Sequence, residues 1–81
     1  MTVTNARKIV YSALQAVAPD VDAATLDDSD RFRQDLDLDS LDFLRMIETI
    51  AEATGVDTPE EDYPRVATVG GLITYLLDAA Q

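Results

Sequence analysis

The sequence predicts an all-α fold: a small bundle of three main helices plus one short helix, with a long loop between the first and second helices. Three observations carry this reading. Apolar residues recur roughly every third or fourth position in three separate stretches. Capping residues precede those stretches, and Pro or Gly follows the first two. No stretch sustains the period-two alternation of a half-buried strand. With 81 residues, the chain has room for one small domain, read here as residues 1–81.

The first helix is capped by Thr2 or Thr4 and buries Ala6, Ile9, Val10, Ala13, Leu14 and Val17. Pro19 and Asp20 end it. Pro19 to Asp37 is rich in turn formers (Asp22, Asp27, Asp28, Ser29, Asp30) and reads as the long loop. Val21, Leu26, Phe32, Leu36 and Leu38 are placed to pin it to the bundle, and it has room for one short helical turn.

The second helix begins with Asp39 as cap, and Asp42 follows three residues later in a capping-box-like arrangement. Leu41, Leu44, Ile47 and Ala51 form one apolar row, and Phe43, Met46 and Ile50 a second. Gly55 is placed to stop it. A short helix then starts with Thr58 as cap and Pro59 in its first position, and Pro64 keeps it short or irregular. Val66 and Val69 point inward. Thr68 caps a last helix to about Ala79, which buries Leu72, Ile73, Leu76 and Leu77. Gly70 and Gly71 weaken its first turn.

Composition excludes whole classes of chemistry. Sixteen Asp and Glu against six Lys and Arg give a net charge of −10, with no His, Cys or Trp. There is then no disulfide, thiolate nucleophile, imidazole base or thiolate zinc site. No catalytic constellation can be assembled, so the chain does not read as an enzyme. The acidity disfavours nucleic-acid binding, which needs clustered cations. No apolar run approaches the roughly 20 residues of a membrane span, and no signal-peptide pattern opens the chain. A cytoplasmic protein is expected. The acids concentrate in Pro19 to Asp42, where nine of them face only Arg31 and Arg33.

Within that region lies Asp35-Leu36-Asp37-Leu38-Asp39-Ser40-Leu41-Asp42. If Asp39 caps the helix, Ser40 holds its first position and its hydroxyl is free of capping. It then faces solvent at the positive end of the macrodipole, where a helix best tolerates an anion. Asp39 and Asp42 oppose an anion there by like charge.

Asp39-Ser40-Leu41-Asp42, preceded by Phe32-x-x-Asp35-Leu36, resembles the phosphopantetheine attachment motif of acyl carrier proteins. The resemblance covers nearly the whole chain and includes Pro59-Glu60-Glu61-Asp62-Tyr63 and Val66-Ala67-Thr68-Val69. It implies that Ser40 receives 4'-phosphopantetheine from coenzyme A through a phosphopantetheinyl transferase. The cofactor's thiol then holds the acyl group as a thioester, which accounts for thioester chemistry in a chain without Cys. The resemblance implies a free-standing, monomeric carrier serving fatty-acid, polyketide or other specialised biosynthesis. Its partners would be acyl-loading and acyl-processing enzymes with basic docking patches. Asp37, Asp39, Asp42, Glu48 and Glu52 match the family's docking acids in type, with Leu41, Arg45 and Met46 as further contacts. Phe32, Phe43, Met46, Ile50, Val66 and Leu72 are the candidate walls of an acyl pocket, or else ordinary core.

The chain departs from the family at a few positions. Asp37 stands where many relatives have Gly. Arg45 and Ala51 replace usual acids, and Arg31 and Arg33 flank Phe32. Arg45 has Asp42 and Glu48 within helical pairing reach. A peptidyl or aminoacyl carrier is the nearest alternative, although the acidity and Leu38-Asp39-Ser40 lean toward an acyl cargo. From another class, Asp35, Asp37 and Asp39 match the first, third and fifth positions of a calcium loop. That loop needs Gly where Ser40 stands and Glu where Met46 stands, and no metal ligand set is assigned. An acidic adapter module fits the charge but gives no reason for a Ser between two acids at a helix start.

Overall fold

Thr2 accepts the Asn5 N–H through its hydroxyl, and α1 runs from there over Val3–Val17. The structure is a computed structural model that describes residues 1–80. Helix α2 spans Ser40–Thr54 and α3 spans Val69–Ala79. Two 3₁₀ segments, Ala23–Thr25 and Glu60–Val66, complete the order. No helix among the described residues is long and apolar enough to cross a membrane.

Each α-helix contributes one face to a single core: Ala6, Val10, Ala13 and Leu14 from α1, Phe43, Met46, Ile47 and Ile50 from α2, and Val69, Leu72, Ile73 and Leu76 from α3. Ile9, Val17 and Leu77, expected inside, are only partly buried at the core's edge. The larger difference is on α2. Leu41 and Leu44 of its apolar row are 56% and 39% exposed, which suits the contact role expected of Leu41 and leaves the buried stripe narrower than the row suggests.

Gly55 ends α2 in the left-handed region at φ 75° and returns its N–H to the Ala51 carbonyl. The short helix differs from expectation at its start. Thr58 does not cap it; Pro59, in extended backbone, precedes a 3₁₀ segment with no side-chain cap. Pro64 lies inside that segment, and its missing N–H suits the tighter, poorly bonded geometry.

The long loop is held by backbone bonds rather than by regular structure of its own. The Phe32 N–H donates to Ala67, the Val69 N–H to Asp30, and the Gly70 N–H to Asp28. These bonds stitch the loop to the start of α3, with Phe32 fully buried and Leu38 nearly so. Asp28 also accepts both guanidinium nitrogens of Arg7 at 2.7 and 3.2 Å, tying the loop to α1. Phe32 at the loop's centre thus fixes where α2 begins.

Candidate functional site

The Asp39 side chain caps α2, its Oδ1 accepting the Asp42 N–H at 2.7 Å. The next residue, Ser40, therefore stands in the first helical position and is exposed. Among the described residues its hydroxyl has no side-chain hydrogen-bond partner. That is the arrangement a hydroxyl that accepts a transferred group requires: fixed in position by the helix, yet engaged by nothing. The Asp42 N–H is spent on the cap, while the Ser40 and Leu41 N–H groups at the helix mouth have no intrahelical acceptor. These dipoles favour an anion at Ser40.

Upstream, Asp35 is committed to the loop. Its Oδ2 accepts the Arg31 backbone N–H at 2.8 Å and the Arg31 Nε at 3.1 Å. The Arg31 guanidinium and N–H hold the Asp35 carboxyl below its ordinary range. This clamp closes the turn that carries the chain from buried Phe32 to buried Leu38. Asp35 and Asp39 are thus occupied with backbone N–H groups, and the calcium-loop reading loses two of its ligands. Asp37 stands between them in the left-handed region at φ 58°, exposed.

Ser40 opens onto a cleft of about 360 Å³ between α2 and the Glu60–Val66 segment, lined by Arg33, Ser40, Phe43, Leu44, Glu60 and Tyr63. A neighbouring cleft of about 250 Å³ shares Arg33, Phe43 and Tyr63 and adds Pro64 and Ala67. From this wall an aromatic series leads inward. Tyr63 meets Phe43 edge-on at 5.4 Å, and Phe43 meets Phe32 at 6.0 Å between ring centroids.

Of the expected docking residues, Asp37, Asp39, Leu41, Arg45, Glu48 and Glu52 are exposed and Asp42 is partly buried. Met46 is a correction: it is fully buried and packs in the core, so it offers nothing to a docking surface. The expected pairing of Arg45 with Asp42 or Glu48 is likewise not formed; among the described residues Arg45 makes no ion pair. All six candidate pocket residues lie in the one core cluster, each at most 8% exposed. Of these six, Phe43 is the residue that also lines the cleft beside Ser40. Leu44, Glu60 and Tyr63 were not singled out from the sequence as site residues. A lone aromatic next to Pro64 in an acidic run was the available signal.

The family model described as "Phosphopantetheine attachment site" matches residues 9–76. An acyl carrier protein of Helicobacter pylori (strain G27) is 33% identical over 72 residues, covering 85% of this chain and 92% of that protein. This chain belongs to the acyl carrier proteins. The acyl carrier protein of Rubrobacter xylanophilus is 29% identical over 75 residues, covering 89% of this chain and 93% of the relative. That of Chlamydia caviae is 38% identical over 56 residues, covering 69% and 73%. Acyl carrier proteins are carriers and not enzymes, and their cofactor is 4'-phosphopantetheine. The unengaged Ser40 hydroxyl at an exposed helix start fits a phosphate ester of that group. When bound, the group supplies the thiol that this Cys-free sequence lacks.

Proposed function

We propose that Ser40 is the attachment residue and that this acyl carrier protein carries acyl intermediates as thioesters on the arm it holds. The observation that carries the reading is the division of labour at the α2 start, where Asp39 does the capping and Ser40 keeps a free, exposed hydroxyl. The Ser40 oxygen is the nucleophile, and its hydroxyl is hydrogen-bonded to no base among the described residues. A separate phosphopantetheinyl transferase must therefore take the proton as the phosphodiester forms at Oγ and the pyrophosphate bond of coenzyme A breaks, releasing adenosine 3',5'-bisphosphate.

The chain acts as one carrier domain that delivers cargo to enzymes of fatty-acid, polyketide or other specialised biosynthesis in the cytoplasm. Asp37, Asp39, Asp42, Glu48 and Glu52 steer basic partner surfaces by long-range attraction. Leu41 and Leu44 add apolar contact at the centre of that face. Arg45, unpaired on the same face, narrows the set of partners by demanding an acid opposite it. An acyl cargo is favoured over an aminoacyl one by the relatives, which are named as acyl carriers. Phe32, Phe43, Met46, Ile50, Val66 and Leu72 form the apolar interior next to the Ser40 cleft, and a cargo chain entering past Tyr63 and Phe43 would meet them.

Incubation with coenzyme A and a broad-specificity phosphopantetheinyl transferase is expected to add one phosphopantetheine by intact mass. Ser40→Ala is expected to abolish the addition while leaving the helical circular dichroism unchanged. Addition to Ser40→Ala, or none to the wild-type chain, overturns the assignment.

A further inference from the structure

We propose that Arg33 binds the phosphate of the arm attached at Ser40, turning the arm toward the cleft between α2 and the Glu60–Val66 segment. The inference rests on Ser40 being the attachment residue. It begins from an electrostatic problem at that position. A phosphodiester on Ser40 brings a further negative charge to a helix start that already holds Asp37, Asp39 and Asp42, in a chain of net charge −10. The helix dipole offsets part of this. It does not favour one direction for the arm over another.

Arg33 supplies both the charge and the direction. It lines the same cleft as Ser40 and is the one cationic residue among that cleft's lining. It lines the adjoining cleft as well. Arg31 is clamped on Asp35 and Arg7 on Asp28, and Arg45, unpaired on α2, is not among the residues that line the cleft. Arg33 has no ion pair among the described residues and is exposed, so its planar fork is available. A guanidinium matches a phosphate with two parallel N–H donors, which an ammonium does not. Glu60, across the same cleft, is the competing acid. It makes no ion pair with Arg33 among the described residues, so a phosphate can take the guanidinium without breaking a bond. Once the phosphate is held there, the proximal arm lies along Leu44 and Tyr63 instead of projecting away from the bundle.

The test uses the loaded protein, prepared with coenzyme A and a broad-specificity phosphopantetheinyl transferase, as wild type, Arg33→Gln, Arg33→Lys and Lys8→Gln. Lys8 is an exposed cation on α1 outside this cleft, so its variant controls for net charge alone. Two readouts are taken: the phosphorus NMR resonance of the phosphodiester at low and high salt, and the thermal midpoint of the loaded form minus that of the unloaded form. In the wild type the resonance is expected to move between low and high salt. Arg33→Gln is expected to lose that movement and to have a more negative midpoint difference on loading. Arg33→Lys is expected to lie between, and Lys8→Gln to follow the wild type. An identical resonance and salt response in wild type and Arg33→Gln overturns the proposal. So does an equal change in Lys8→Gln, which would mean general screening. Failure of the wild type to load at all overturns the Ser40 assignment, and this inference with it. Loading of every variant without a difference among them overturns this inference alone.

Discussion

Asp37 shows how one residue can carry strain beside a site without taking part in the site. Its φ of 58° lies in the left-handed region. There an L side chain is disfavoured by roughly 1–2 kcal/mol, although Asp is among the residues that tolerate it best. The left-handed turn carries the chain from partly buried Leu36 to buried Leu38 and the α2 cap. Asp37→Gly removes the Cβ strain and costs about 0.4–1 kcal/mol through the freer unfolded chain. It also removes one charge from the most acidic part of the sequence. The expected outcome is a gain of about 0.5–1 kcal/mol, a rise in thermal midpoint of about 4 °C for a domain of this size. A lowered midpoint in a thermal melt contradicts this. That Asp37 is nonetheless present fits a charge kept for partner encounter at some expense in stability.

Of the glycines, Gly71 is approached most closely by another element. A Cβ there would sit 2.5 Å from the Arg65 carbonyl oxygen and 3.0 Å from the Thr68 hydroxyl. Gly71 therefore lets the Glu60–Val66 segment lie against the first turn of α3, and that contact sets one wall of the Ser40 cleft. Gly71→Ala forces the two apart at an expected cost of about 1–3 kcal/mol, read as a lower urea midpoint. A neutral result removes the claim that this contact positions the wall. The sequence conveyed the cost of the glycine pair to helix propensity but not its purpose, because a backbone carbonyl brought in from six residues away leaves no mark on local pattern. The same limit explains the rest of the comparison. The starts of α1, α2 and α3 were legible because a Thr or Asp cap acts within three residues. The exposed first-turn position of Ser40 was legible because Asp39 beside it takes the cap. The Pro59 start was misread because Thr58 and Pro59 carry the same signal for an α-helix as for a 3₁₀ turn. The exposure of Leu44 was also hidden, since periodicity gives the direction of a face but not how much of it neighbours cover.

For the whole molecule, the governing quantity is the net charge of −10 on so small a bundle. Self-repulsion works against the compact state, and salt screens it over a length of about 8 Å at physiological ionic strength. Salt also screens Arg7–Asp28, Arg31–Asp35 and Arg65–Asp78, but exposed pairs of this kind contribute little. Repulsion among many unpaired acids therefore dominates, and the thermal midpoint at neutral pH is expected to rise from low to high salt. Acid relieves the same repulsion by another route, with a different result. Asp28 is held below its ordinary value of 3.8 by the Arg7 guanidinium, Asp35 by Arg31, and Asp27 by the Ser29 hydroxyl and N–H. A carboxyl whose folded value is depressed contributes stability above its unfolded value and loses it as pH falls through the folded one. These three anchor the loop that sets the α2 start, so below about pH 3.8 protonation loosens that loop, while the net charge, which passes through zero near pH 4.1, turns increasingly positive. Added salt at pH 7 should thus stabilise the chain, whereas titration from pH 4 toward pH 2 should destabilise it, both read by circular dichroism. A midpoint that is flat with salt would mean that the acids are too well solvated to repel, and their long-range steering of partners would fail on the same ground.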